Sequence, residues 1–142
     1  MNIILLSGGS GKRLWPLSND IRSKQFIKLF KDDNGNYESM VQRVYRQITT
    51  VNPMVKVTVA TSKNQVSVIK SQLGEKINIC VEPSRRDTFP AILLAAAYIH
   101  YELGIGVEEC IAVCPVDPYV DNDYYKCDGE LENLVEAGTA NL

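Results

Sequence analysis

The chain has 142 residues, of which 45% are hydrophobic and 23% charged, and its net charge is −2. That length suits one domain with a real core, and the balance of charge argues against a duplex nucleic-acid partner. No stretch reaches the roughly 18 apolar residues of a membrane span, and Ile3–Leu6 meets Ser-Gly-Gly too soon for a signal-peptide core, so a cytoplasmic protein with no membrane partner is expected.

Met1 to Leu6 reads as a buried parallel strand running into a glycine-rich loop. Gln25 to Phe30 reads as a short extended piece, and Asp33-Asn34-Gly35-Asn36 as a turn. Tyr37 to Val51 has helical spacing, with Met40, Val44, Ile48 and Val51 near one face. Lys56 to Thr61 is a β-branched strand. Ser62 and Gln65 have the spacing of a capping box for a helix ending near Leu73 and Gly74. Ile77 to Val81 is another strand. Pro90 fits the first turn of a helix that ends near Leu103 and Gly104. Cys110 to Val116 is a strand ending at Asp117. Asp121 or Asn122 caps a last helix to about Ala137, weakened in its middle by Gly129.

The repeated strand–loop–helix order predicts a Rossmann-like three-layer α/β/α sandwich with a mainly parallel sheet. In such folds ligands bind beyond the carboxyl ends of the strands. Three polar loops fall there: Ser7 to Lys24, Glu82 to Thr88 and Asp117 to Asp121. Cys80, Cys110, Cys114 and Cys127 form no C-x-x-C pair and are read as buried free thiols rather than a zinc site or disulfide frame.

The first loop is Ser7-Gly8-Gly9-Ser10-Gly11-Lys12-Arg13-Leu14-Trp15-Pro16-Leu17-Ser18. Glycines let backbone N–H groups face an anion at close range. Lys12 and Arg13 add cations where a triphosphate would lie. Arg rather than Ser or Thr follows Gly-Lys, so the loop is not a P-loop. By itself it supports phosphate binding, with a purely structural turn as the bland reading.

Three segments carry a resemblance. The glycine loop followed by Lys24-Gln25-Phe26 resembles the mannose-1-phosphate guanylyltransferases. Glu82-Pro83-Ser84-Arg85-Arg86-Asp87-Thr88-Phe89-Pro90-Ala91-Ile92 is similar to that family's second motif, and Cys114-Pro115-Val116-Asp117 to its metal-site segment. The resemblance runs over the whole chain. It implies a GT-A-like nucleotide-diphospho-sugar transferase fold, here in part, and transfer of GMP from GTP to mannose 1-phosphate. It assigns Gly8, Gly9, Ser10, Gly11, Lys12 and Arg13 to the triphosphate and Lys24 to the α-phosphate and sugar phosphate, with Arg13 and Lys24 as the catalytic cations. Asp117 would hold Mg²⁺ or another divalent cation.

Glu82, Arg86, Asp87 and Thr88 are candidates on the nucleotide side. Glu82 can meet guanine N–H groups or make a loop contact, and Arg85 and Arg86 can reach phosphate or stay solvated. Trp15 reads as a packing anchor, Asp121 and Asp123 as helix-start residues, and Tyr119, Tyr124 and Tyr125 as cover for the helix–sheet junction. The sequence departs from the family at Lys12, where threonine is usual, at Ser23 for proline, at Asp87 for asparagine and at Pro118 for histidine.

The chain stops at Gly138-Thr139-Ala140-Asn141-Leu142, which resembles the entry to a further strand. Residues 1–142 are therefore expected to be the N-terminal, nucleotide-binding part of a longer domain, with an exposed sheet edge that invites a homo-oligomer and with turnover by the piece alone in doubt. Two other functions remain: a sugar-1-phosphate nucleotidyltransferase of another base or sugar, and a non-catalytic nucleotide-sugar sensor.

Overall fold

A computed structural model describes residues 1–9, 18, 23–84, 86–139 of the chain. Four strands form a parallel sheet in the order β5-β4-β1-β6. They are β1 (Asn2–Leu6), β4 (Lys56–Ser62), β5 (Asn78–Glu82) and β6 (Ile111–Pro115). β1 lies at the centre, with Ile4 level with Thr58 on one side and Val113 on the other. The central strands are buried on both faces, which is why they read as near-continuous apolar runs rather than alternating ones.

Helices cover both faces. Ile3 and Leu5 point to one side, where they pack with Val41, Val44 and Ile48 of α1 (Met40–Val51) and Ile69 of α2 (Val66–Leu73). Ile4 points to the other, where it meets Ala95 and Ile99 of α3 (Thr88–Tyr101). The three-layer α/β/α arrangement is therefore the one the alternation predicts. α4 (Lys126–Glu136) follows a 3₁₀ turn at Asn122–Tyr125 and buries none of its residues. β6 forms one edge of the sheet, with Ile111 and Val113 partly open to solvent. No helix among the described residues is long and apolar enough to cross a membrane.

Several elements differ from their sequence reading. Tyr37–Ser39 is a strand, β3, paired antiparallel with β2 (Lys28–Lys31) across the Asp33–Asn36 turn. The helix begins only at Met40, because Ser39 and Gln42 form a reciprocal capping box that fixes its start. Its buried face runs through Val41 and Gln47 as well as Val44 and Ile48. Gln25 and Phe26, read as the start of an extended piece, lie in a 3₁₀ turn at Lys24–Phe26. The expected box at Ser62 is absent: Gln65 turns inward, accepts from Thr61 Oγ1 at 2.8 Å and donates to Ser23 Oγ at 2.7 Å.

All the cysteines are free, yet only Cys80 and Cys114 are buried; Cys110 is partly exposed and Cys127 exposed. Burial pushes the Cys114 thiol up to about 11, so it is an inert core group. Of the tyrosines assigned to the junction, Tyr125 is in the core, whereas Tyr119 and Tyr124 are exposed.

Candidate nucleotide and phosphate site

The polar loops meet at the carboxyl end of the sheet, where the strand order places a crevice. β1 delivers Ser7, Gly8 and Gly9; β5 delivers Glu82; β6 delivers Asp117. The Ser7 N–H donates to Ala60 O at 2.9 Å, which carries the strand direction into the loop. Arg13, Ser10, Gly11 and Lys12, together with Trp15 and Arg85, lie outside the described residues.

Lys24 and Asp117 come together although 93 residues separate them. Lys24 Nζ donates to Asp117 Oδ2 at 2.9 Å. Both side chains keep solvent access, at 35% and 50% exposure, so this pair adds little stability of its own. What it does is place one cation and one carboxylate side by side, both open to solvent. Asp117 is a half-exposed carboxylate that could hold a divalent ion. Mg²⁺ commonly takes one or two carboxylates and completes its shell with phosphate oxygens and water, and a half-exposed carboxylate at a strand end fits that donor set. A cluster of Cys110, Glu132 and Glu136 lies at the opposite end of β6, away from this chemistry, and Glu132 there is paired with the N-terminal amine at 3.0 Å.

On the other side of β1, Gly8, Gly9, Glu82, Arg86, Asp87 and Thr88 line one cavity of about 680 Å³ with Leu6 and Ala91. Every described member of the second motif's candidate set is thus in one place. Gly8 lets the Glu82 carboxylate come close to the loop: a Cβ there would lie 2.9 Å from Glu82 Oε1 and push it aside. Asp87 begins α3 with φ 73° and ψ −176°. That backbone region is costly for any side chain, and such strain is found where surroundings over-determine a residue. Its carboxylate accepts from the Thr88 N–H at 3.1 Å, at the positive end of the α3 dipole. Arg86 Nε donates to Ser84 Oγ at 3.3 Å.

Supporting residues emerge that sequence reading does not assign. The fully buried Gln25 donates from Nε2 to Ser7 O at 2.6 Å and to Gly9 O at 3.3 Å. Gln72 Nε2 donates to Phe26 O at 3.0 Å. The buried Gln47 donates to Val120 O at 2.8 Å, and Arg43 donates to the same carbonyl while its guanidinium lies 4.1 Å above the Tyr119 ring. The Asp117 loop is therefore tied to α1. Gln25 stands within one of the family motifs, but Gln47 and Arg43 have only helical spacing to mark them. Asp121 caps the turn at Asn122–Tyr125 by accepting from the Asp123 N–H, the helix-start role expected of it.

The nucleotidyl transferase family model matches residues 2–137. A putative mannose-1-phosphate guanylyltransferase of Vibrio cholerae is 34% identical over 96 residues, covering 66% of this chain and 20% of the relative. The alginate biosynthesis protein AlgA of Pseudomonas putida is 34% identical over 123 residues, covering 84% and 24%. Among solved structures, the mannose-1-phosphate geranyltransferase of Thermus thermophilus superposes with a TM-score of 0.71 at 29% identity, covering 96% of this chain and 37% of that one. The chain spans about a fifth to a quarter of the length of these curated relatives.

Proposed function

The chain belongs to the nucleotidyl transferase family, and from that premise we propose that it carries the triphosphate side of a guanylyltransferase acting on mannose 1-phosphate. The observation that carries the proposal is the Lys24–Asp117 contact of 2.9 Å at the same end of the sheet as the cavity walled by Gly8 and Glu82.

In this reading an oxygen of the sugar phosphate attacks the α-phosphorus of GTP. The new P–O bond forms as the bond to the β-phosphate bridging oxygen breaks, and pyrophosphate leaves. The reaction brings two anions together and builds charge on oxygens, so positioning and fixed positive charge do most of the work. Lys24 holds the α-phosphate and the incoming sugar phosphate. The glycine loop offers backbone N–H groups to the triphosphate, and Arg13 adds a second cation. Asp117 would hold Mg²⁺, which supplies Lewis-acid relief of phosphate charge when bound.

The cavity supports a guanine base. Glu82 and Asp87 present carboxylates there, which repel phosphate but accept hydrogen bonds. Guanine offers adjacent ring N–H and amino donors to a carboxylate, and ribose offers hydroxyls.

The test is pyrophosphate release by the full-length gene product with mannose 1-phosphate, Mg²⁺ and each nucleoside triphosphate in turn. Release with GTP ahead of ATP, UTP and dTTP is expected. Faster release with another base removes the guanine assignment, a preference for glucose 1-phosphate removes the sugar, and silence with every nucleotide points to a sensing module.

A further inference from the structure

Among the described residues, one side chain holds the backbone carbonyls where the glycine loop begins. In a planar trans peptide the C=O and the following N–H point in opposite directions. A loop that turns N–H groups out toward an anion must therefore turn carbonyls inward, and inward carbonyls need donors. Gln25 supplies them. Its side-chain amide carries two protons, and Nε2 lies 2.6 Å from Ser7 O and 3.3 Å from Gly9 O. Holding the Ser7 carbonyl inward directs the Gly8 N–H away from Gln25, to the side where Gly8 and Gly9 line the cavity.

The anchor is rigid. Gln25 is 1% exposed, and its backbone belongs to the same short turn that carries Lys24. That turn is pinned on both sides, at Ser23 by Gln65 and at Phe26 by Gln72. Lys24 reaches outward to Asp117 while Gln25 reaches inward to the loop carbonyls. One turn thus sets both the cation and the phosphate loop.

We propose that Gln25 is the positioning residue of the phosphate loop, holding the Ser7 and Gly9 carbonyls inward so that the loop presents its N–H groups to a polyphosphate chain. This rests on the reading of the site as a triphosphate site, but it does not depend on which base or sugar is used. The carbonyls it holds belong to backbone, so the role requires a two-proton donor of this length and is lost by an isosteric group without protons.

Trp15, the single tryptophan of the sequence, lies in this loop and gives a direct probe. The full chain is titrated with inorganic tripolyphosphate and with GTP, both with Mg²⁺, following Trp15 emission. Gln25→Met keeps the volume and removes both donors, and Ile48→Val in the core controls for lost stability alone. Gln25→Met is expected to weaken tripolyphosphate and GTP by the same factor, about tenfold or more for two hydrogen bonds, with Ile48→Val at the wild-type value. Should Gln25→Met not fold, Gln25→Asn, which draws the amide back by one methylene, makes the same comparison. Wild-type affinity in these variants overturns the role of Gln25 while leaving the triphosphate site standing. A wild-type chain that binds neither ligand overturns both readings together.

Discussion

The two ends of the parallel sheet use the same residue types for different purposes. At the amino end, Gly74 and Gly104 have φ of 101° and 68° and close helices. At the carboxyl end, Gly8 has no such backbone need; a Cβ there would collide with Glu82. Gly74 has open space around it, so its glycine serves conformation, whereas Gly8 serves close approach. Two of the ion pairs show the same contrast. Lys70–Glu75, at 3.2 Å, ties neighbours in sequence and lies on the surface. Lys24–Asp117 joins two loops that have no other reason to meet. A feature that crosses the fold at the ligand-binding end carries information about chemistry; the same feature within one turn at the other end reports only how a helix stops.

Substitutions at matched positions break or sharpen this contrast. The largest effect is expected from Lys24→Ala. Losing one fixed cation from a phosphoryl-transfer site costs on the order of 10²-fold in kcat/KM, read by pyrophosphate release, while the unfolding midpoint in urea stays near the wild type. A rate within about twofold of wild type, far short of that loss, would remove Lys24 from the mechanism. Gly8→Ala comes next. The added methyl meets Glu82 Oε1, the far end of a side chain that can swing aside, so stability should change by no more than about 0.5 kcal/mol, while a GTP titration should show weaker binding as Glu82 is displaced.

Gly74→Ala is the matched variant at the other end. Its cost is backbone strain alone, about 1–3 kcal/mol for a side chain in this region, and GTP affinity should not change. If Gly74→Ala weakened GTP as Gly8→Ala does, the distinction between the two ends would fail. The smallest effect is expected from Lys70→Ala: within about 0.5 kcal/mol in stability, as for exposed ion pairs generally, and no change in turnover.

Much of this is legible in the sequence. The apolar runs Ile3–Leu6, Val57–Ala60 and Ile111–Val113 are parallel strands, and their ends form the rim that holds Gly8, Glu82 and Asp117. Lys24 and Asp117 stand out separately by motif, and folding brings them into contact. Helical spacing places the start of α1 too early because it continues back through Tyr37, although the capping pair Ser39 and Gln42 is present to mark the boundary. The box at Ser62 fails for a reason no local pattern carries: Gln65 finds Ser23, 42 residues away. The glutamine supports are invisible for the same cause. Gln25, Gln47 and Gln72 act on carbonyls of distant loops, and a buried amide in a helix or turn looks like any polar residue until its acceptor is placed.

The central claim is that the carboxyl end of the sheet is a phosphoryl-transfer site organised around Lys24 and Asp117. Its most direct test is the Mg²⁺ dependence of pyrophosphate release from GTP and mannose 1-phosphate in the full-length gene product, wild type against Asp117→Asn. If Asp117 holds the ion, the variant's titration should move to higher Mg²⁺, by about tenfold or more for the loss of one charged ligand, with a lower plateau. Superimposable titrations would contradict the account.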